Sequence, residues 1–110
     1  MPNRKFKENF VLIYSTFPSL KIAGEIIRVL VREKLIACGN IFKLSSIYTW
    51  KGKIEQTREY GAFIKTTSEN YKRVENYIKK NHPYEVPEII SWPINKGLKK
   101  YLNWIQQVVR

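Results

Sequence analysis

The chain has 110 residues, enough for one domain with a single hydrophobic core. Hydrophobic residues make up 44% and aromatic residues 14%, and no segment approaches the roughly 20 apolar residues of a membrane-spanning helix, so we expect a globular protein without membrane insertion. The net charge is +11, from 20 Lys and Arg against 9 acids, and attracts polyanions at low salt. The lysines are scattered and the chain is rich in Ile and Asn, which favours a drift in composition over a selected polyanion site.

The first eight residues are basic and precede an apolar run, as in a signal peptide. That run, residues 10–14, is too short, Ser15 and Thr16 interrupt it, and no small-residue cleavage site follows. We therefore predict a flexible leader over residues 1–8 of a single domain spanning 1–110, and a cytoplasmic location. Cys38 is the one cysteine; it excludes an intramolecular disulfide and is predicted to be a small buried hydrophobe.

The first half of the chain predicts a strand, a helix and two long strands. The apolar, β-branched run over 9–15 is typical of a strand buried on both faces. From Leu20 to about Lys34 apolar residues recur at helical spacing, which predicts a helix lying on a sheet. Two extended stretches, 35–50 and 54–66, follow, and the tight turn 51–53 joins them as a hairpin.

The second half predicts a helix, a short strand and a last helix. Ser68 is a predicted N-cap for a helix with its apolar stripe at Tyr71, Val74 and Ile78. The strand 89–94 contains Pro93, which requires an edge or an end position. In the last helix Trp104 stands off the apolar stripe and indicates a partner surface. The order β-α-β-β-α-β-α predicts an α+β, ferredoxin-like sandwich with an extra C-terminal helix.

Two segments have unusual composition. In 82–89, His-Pro-Tyr-Glu-Val-Pro-Glu-Ile, two prolines restrict the backbone. Such a rigid segment presents its polar side chains in a fixed geometry, as a binding site requires, or serves as a stiff entry to the last strand. The hairpin tip 46–55 carries Tyr48 and Trp50 beside a basic turn. Strands that outrun a four-stranded sheet leave unpaired edges, and a neighbouring subunit is one way to cover them.

Five segments together resemble the CutA divalent-cation tolerance family in order and spacing: 35–41, 46–55, 64–67, 82–89 and 101–105. The resemblance covers residues 9–109. It implies a ferredoxin-like protomer whose long strands pair with those of neighbours in a homotrimer similar to PII signalling proteins. It also implies a role in tolerance or response to divalent metal ions, with copper binding in some members and no settled enzymatic activity.

The resemblance implies a metal site, but this sequence has only some of the ligands of that site. Copper-binding members have a cysteine at the end of the first strand and histidines before the Pro-Tyr pair. Ser15 and Asn81 occupy two of these positions here, so a soft thiolate is missing. A candidate site for Cu²⁺ or another divalent cation then consists of His82, Glu85 and Glu88 contributed across a trimer interface, and we expect weak or no copper binding.

An interaction role is the remaining part of this interpretation. A trimer would bind a small molecule or a membrane-protein partner in the clefts between subunits. The side chains predicted for this inter-subunit pocket and interface are Tyr48, Trp50, Glu55, Glu59, Lys65, Tyr84 and Trp104.

Two other classes of function compete with this interpretation, an RNA-binding module and an enzyme. RNA-recognition domains share the element order and carry aromatics on strand three, but period-2 alternation puts Tyr60 and Phe63 on opposite faces, so they cannot both stack bases. An enzyme would need a nucleophile elbow, a phosphate-cradling loop or zinc-ligand spacing, and the sequence has none of them. A carboxylate pair would have to form across a subunit boundary from Glu55, Glu59, Glu85 and Glu88, and exposed glutamates are usually solvated surface. We therefore predict no catalysis.

Overall fold

The computed structural model describes residues 9–110, so the predicted leader over 1–8 lies outside the described residues. The order of elements is the predicted one, and the α+β, ferredoxin-like fold is confirmed. The elements are β1 (Phe10–Phe17), α1 (Leu20–Arg32), β2 (Cys38–Trp50), β3 (Lys53–Thr67), α2 (Tyr71–Asn81), β4 (Ile89–Pro93) and α3 (Lys99–Val108).

The four strands form one antiparallel sheet in the order β2-β3-β1-β4. β4 therefore lies at an edge, as Pro93 requires, since proline cannot donate to a neighbouring strand. β2 forms the other edge. Residues 60–67 of β3 pair with β1, whereas 53–59 pair only with β2 within the described chain. The outer half of the hairpin thus projects beyond the rest of the sheet.

The hairpin turn contains two residues, Lys51 and Gly52, with φ angles of 52° and 81°. Positive φ at both central residues is the geometry of the type I′ turn, whose twist matches that of the strands. Trp50 pairs with Lys53, so β3 begins one residue earlier than predicted. This register places Leu44 opposite Glu59.

Helices α1 and α2 cover one face of the sheet. The Ser19 side chain accepts a hydrogen bond of 3.1 Å from the Ile22 N–H, which caps α1 at its N-terminus. The fully or nearly fully buried core between these helices and the sheet consists of Ile13, Phe17, Ala23, Ile26, Ile27, Leu30, Ile36, Ala62, Ile64, Val74 and Ile78.

The opposite face of the sheet, here called the open face, carries the alternate residues. Its aromatic centre is Tyr14, Phe42 and Phe63, with the Phe63 ring centroid 5.5 Å from that of Tyr14 and 5.1 Å from that of Phe42. Towards β4 it continues through Ile90 and Trp92, which are 49% and 43% exposed. On the helix side of β1, Ile13, Ser15 and Phe17 are buried. On the open face Leu12 and Tyr14 are only half-buried and Thr16 is buried, so the predicted burial on both faces is reached only at the C-terminal end of the strand.

Two local predictions were wrong. Ser68 does not cap α2, because a single 3-10 turn, Ser68–Asn70, precedes it and α2 begins at Tyr71. The buried Asn70 holds this turn: its Nδ2 donates to the Leu35 carbonyl at 3.2 Å. Cys38 is only half-buried, because it opens β2 on the open face beside Tyr101 of α3 and does not reach the core.

Candidate functional site

A cleft of about 700 Å³ lies between the hairpin tip and the proline-braced segment 82–88. One wall comes from β2 and β3, and the other from the segment that leads into β4. We call it the Glu59 cleft, after its most buried charged group. It is lined by Thr16, Ser46, Ile47, Tyr48, Trp50, Glu59, Pro83, Tyr84, Glu85, Val86 and Glu88.

His82 anchors one end of segment 82–88 to β1. Its ring is 8% exposed, and its Nδ1 accepts the backbone N–H of Tyr84 at 3.1 Å. Nε2 therefore carries the proton of the neutral ring and donates to the Thr16 carbonyl at 2.7 Å. The ring also stacks on Phe17, with centroids 5.1 Å apart and planes at 21°. Both nitrogens of His82 thus have structural partners.

The other end of the segment is held by Ser15. Its hydroxyl donates to the backbone carbonyl of Glu88 at 2.7 Å. Ser15 is fully buried, and a buried hydroxyl requires such a partner. With His82 at one end and Glu88 at the other, the segment is fixed across β1, and the proline restrictions hold the backbone between them.

Glu59 projects from β3 on the open face and is 6% exposed. Its Oε1 accepts a hydrogen bond of 2.6 Å from the Ser46 hydroxyl, and its Oε2 accepts one of 2.6 Å from the Tyr84 hydroxyl. Such short bonds are typical of a charged acceptor. None of the ion pairs within residues 9–110 includes Glu59, although a buried carboxylate usually has a cationic partner.

The carboxylates of the cleft act on two tyrosines, Tyr84 in its lining and Tyr14 on the open face, although burial is the larger cause of each raised pKa. Burial, together with the hydrogen bond to Glu59 and its charge, raises the pKa of Tyr84 well above its ordinary value. Burial and the nearby charges of Glu88 and Glu59 raise the pKa of Tyr14 as well. Both hydroxyls therefore stay protonated at neutral pH, and Tyr84 remains a hydrogen-bond donor to Glu59.

Replacement of Tyr84 by phenylalanine is expected to weaken the protein by about 1–2 kcal/mol, because the buried Glu59 carboxylate loses one of its two hydrogen-bond donors. The raised pKa of Tyr84 predicts a second effect. A folded-state pKa above the unfolded one stabilises the fold below the unfolded pKa, and this stability is lost as pH rises above about 10. We expect urea midpoints to fall above that pH, and to fall less steeply in Y84F.

The matched control for this prediction is Tyr77→Phe. Tyr77 packs against the core, and its hydroxyl has no hydrogen-bond partner among the described residues. Y77F should therefore keep the alkaline slope of the wild type. Equal slopes in wild type and Y84F would show that the Tyr84–Glu59 bond does not exist in solution.

Comparison with known proteins identifies the family. The model of the CutA1 divalent ion tolerance protein family matches residues 11–108. The chain belongs to the CutA1 family. A divalent-cation tolerance protein CutA from Thermotoga maritima is 43% identical over 99 residues, covering 90% of this chain and 98% of the relative. The resemblance predicted from the sequence is therefore confirmed.

Solved CutA structures confirm the fold. The periplasmic divalent cation tolerance protein CutA from Archaeoglobus fulgidus superposes with a TM-score of 0.90 at 42% identity, covering 92% of this chain and 99% of that one. The divalent cation tolerance protein from Thermus thermophilus gives 0.88 at 36% identity, with 92% and 99% covered. These CutA relatives are named as tolerance proteins and not as enzymes.

The nucleic-acid alternative has no support from the family or the structural relatives. Tyr60 packs against the core and Phe63 lies on the open face, as the alternation predicted. The interpretation as a CutA protein explains the element order without an RNA-binding surface. No helix within residues 9–110 is long and apolar enough to cross a membrane.

The residues predicted for the CutA inter-subunit pocket divide into two groups. Tyr48, Trp50, Glu59 and Tyr84 meet in the Glu59 cleft. The rest do not line it: Glu55 lies on the exposed hairpin tip, Lys65 donates a hydrogen bond to Asn40, and Trp104 packs beside Tyr101 on α3. Their assignment to an interface remains a prediction about neighbouring chains.

The predicted metal ligands are not gathered into a site within one chain. Glu85 and Glu88 line the cleft, but His82 uses both ring nitrogens for the backbone. No group of three or more His, Cys, Asp or Glu side chains in residues 9–110 is arranged to hold a metal ion. The two departures from the copper-binding pattern also have structural partners: Ser15 bonds to Glu88, and Asn81 donates to the Tyr77 carbonyl at 2.9 Å. Metal binding therefore stays a prediction.

Sequence reasoning missed five parts of the cleft, namely Thr16, Ser46, Ile47, Pro83 and Val86. Ser46 had a usable signal, because it shares a strand face with Tyr48 and Trp50 by period-2 alternation. Thr16 contributes through its backbone carbonyl to His82, and a backbone role leaves no trace in side-chain chemistry.

Proposed function

We propose that this CutA protein acts in tolerance to divalent cations as a homotrimer and does not catalyse a reaction. The family membership supports the physiological role. The observation that supports the assembly is that β2 and β4 each have one side without a neighbouring strand within residues 9–110, beside an aromatic open face. Neither feature is expected to stay in contact with water in a stable single chain.

The β2 edge of one chain and the β4 edge of another can pair, because each carries backbone N–H and C=O groups. Within residues 9–110, residues 53–59 of β3 have no strand partner besides β2, and the outer sides of β2 and β4 have no neighbouring strand. An edge of one chain that pairs with a different edge of the next makes a head-to-tail contact, and such contacts close into a ring when the rotation allows. The number of subunits in the ring, three, is taken from the resemblance to the CutA family.

A trimer of this kind would also complete the Glu59 cleft. The hairpin tip that forms one wall is the part of the sheet that projects furthest, and Ile47 and Ile54 on it are 68% and 80% exposed. A neighbouring chain that covers the tip would close the cleft from outside. We propose that small ligands bind there, between subunits.

Size-exclusion chromatography with light scattering tests the assembly. We expect a mass three times that of the 13.1 kDa chain. A mass of one chain at micromolar concentration would overturn the proposal. The cellular role is tested by expressing the chain in a strain that lacks its own CutA protein and grows poorly in excess Cu²⁺. Restored growth is expected.

Copper binding is expected to be weak, with a dissociation constant above the micromolar range, because His82 has no free nitrogen and Ser15 stands where copper-binding members have a cysteine. Isothermal titration of the trimer with Cu²⁺ measures it. If binding heat is observed, the variants His82→Gln and Glu88→Gln show whether it depends on either of these two side chains. Sub-micromolar binding that depends on His82 would contradict this expectation and favour a His82, Glu85 and Glu88 site.

The proposed location is the cytoplasm. A relative from Archaeoglobus fulgidus is named periplasmic, so the two compartments have to be distinguished by experiment. Fractionation of cells that express the chain at its natural level would do so, and recovery in a periplasmic fraction would overturn this part of the proposal.

A further inference from the structure

The Glu59 cleft has a charge opposite to that of the whole chain. Three carboxylates line it, from Glu59, Glu85 and Glu88, and its lining includes no Lys, Arg or His among the described residues. The chain as a whole carries +11. A concave site lined by one sign of charge concentrates its field and attracts ligands of the other sign. The cleft therefore selects for cations in a protein whose surface otherwise attracts anions.

Glu59 provides a defined point of attachment within the cleft. Ser46 and Tyr84 each donate one hydrogen bond to a different carboxylate oxygen, and they hold the group at one position. An ionised carboxylate offers about four acceptor sites, so each oxygen keeps one for a further donor. A protonated amine has up to three donors in a compact charged group and matches this remaining capacity.

The walls of the cleft suit the organic part of such a ligand. Tyr48, Trp50 and Tyr84 supply aromatic rings, and Ile47 and Val86 supply aliphatic surface. Aromatic faces attract cations through their quadrupole. Lys51 is not in the lining, but its Nζ lies 5.9 Å from the Trp50 ring centroid, so a ligand cation would compete with it for that ring. The volume of about 700 Å³ falls in the range of pockets that enclose small molecules.

We propose that the Glu59 cleft binds a small organic cation, with a primary ammonium group on the Glu59 carboxylate and an apolar or aromatic body against Trp50 and Tyr48. A bare divalent ion fits less well, because it requires several oxygen ligands around one point and the described residues contain no such cluster. This inference rests on the proposed function in one respect: the cleft is completed by a neighbouring subunit.

The test compares two probes that share a phenethyl body and differ in the head group, a charged ammonium against a neutral hydroxyl. Isothermal titration of the assembled wild-type protein with phenethylamine and with phenethyl alcohol measures what the positive charge contributes. We expect the amine to bind at least about tenfold more tightly, since a hydrogen bond to a charged group is stronger than one between neutral groups. Glu59→Gln keeps the shape of the side chain and removes its charge, and it should remove most of the preference, with Glu85 and Glu88 retaining a smaller part.

Glu69→Gln is the control variant, because it makes the same change in net charge at an exposed residue outside the cleft. It should retain the preference for the amine. Light scattering on each sample reports the assembly separately. A trimer that binds the two probes equally, or neither, overturns the inference and leaves the proposed assembly standing. A trimer that instead binds Mg²⁺ or Cu²⁺ through Glu59, without amine binding, overturns it in favour of a metal site.

Discussion

Replacement of Phe63 by lysine is expected to convert the proposed trimer into single chains. Phe63 lies at the centre of the open face, in contact with the rings of Tyr14 and Phe42, and is 37% exposed in one chain. A lysine at this position stays solvated in a single chain but becomes an unpaired buried charge in a trimer. The penalty of several kcal/mol for each buried charge would be incurred three times per assembly.

Light scattering measures this effect, and two control variants separate its causes. Phe63→Leu keeps the position apolar and should remain trimeric. Leu20→Lys introduces the same charge at a 55% exposed position on the first turn of α1, on the helix side of the sheet, and should also remain trimeric. Full assembly of F63K would show that the open face is not an interface, and the aromatic cluster would then need another explanation.

Replacement of His82 by alanine is expected to lower the free energy of unfolding by about 2–4 kcal/mol. The change leaves the Thr16 carbonyl and the Tyr84 N–H without partners and opens a cavity beside Phe17. Urea denaturation measures it, with all samples at one protein concentration because unfolding of an oligomer depends on concentration. Loss of the imidazole should also make the position of Tyr84 less fixed, and with it one wall of the Glu59 cleft.

His82→Phe separates the two contributions of the imidazole. Phenylalanine keeps a ring against Phe17 but has no hydrogen-bonding atoms, so H82F should be less destabilised than H82A and more than wild type. Unchanged stability in both variants would mean that the backbone contacts of His82 contribute nothing. The imidazole would then be available to a ligand, and the metal prediction would gain weight.

Local patterns predicted the elements well. The helical spacing of apolar residues from Leu20 to about Lys34 predicted α1 on the sheet, and four residues at that spacing are buried in the structure: Ala23, Ile26, Ile27 and Leu30. Pro93 limited β4 to an edge or Pro93 to the end of its strand, because proline has no N–H to donate, and the structure shows both. The periods of helices and strands are set by backbone geometry over a few residues, so the spacing of apolar residues in a single sequence is enough to predict these elements.

The site was predictable only in part, because its contacts depend on register and on distant segments. The sequence interpretation made the hairpin turn one residue too long, and the pairing of Leu44 with Glu59 could not follow from it. With a two-residue turn at Lys51 and Gly52, Ser46 and Glu59 come close on one face. The bond from Tyr84 to Glu59 links residues 25 apart, and no periodic pattern reports it.

The hairpin also has a consequence for the order of events in folding. Its turn joins β2 to β3 directly, so pairing can spread outward from Lys51 and Gly52 with little loss of chain entropy. β4 pairs with β1 from near the other end of the chain, and this contact closes a long loop. We expect the hairpin to form early and the β4 edge last. A neighbour that requires that edge would then recognise only completed subunits, which limits pairing between half-folded chains.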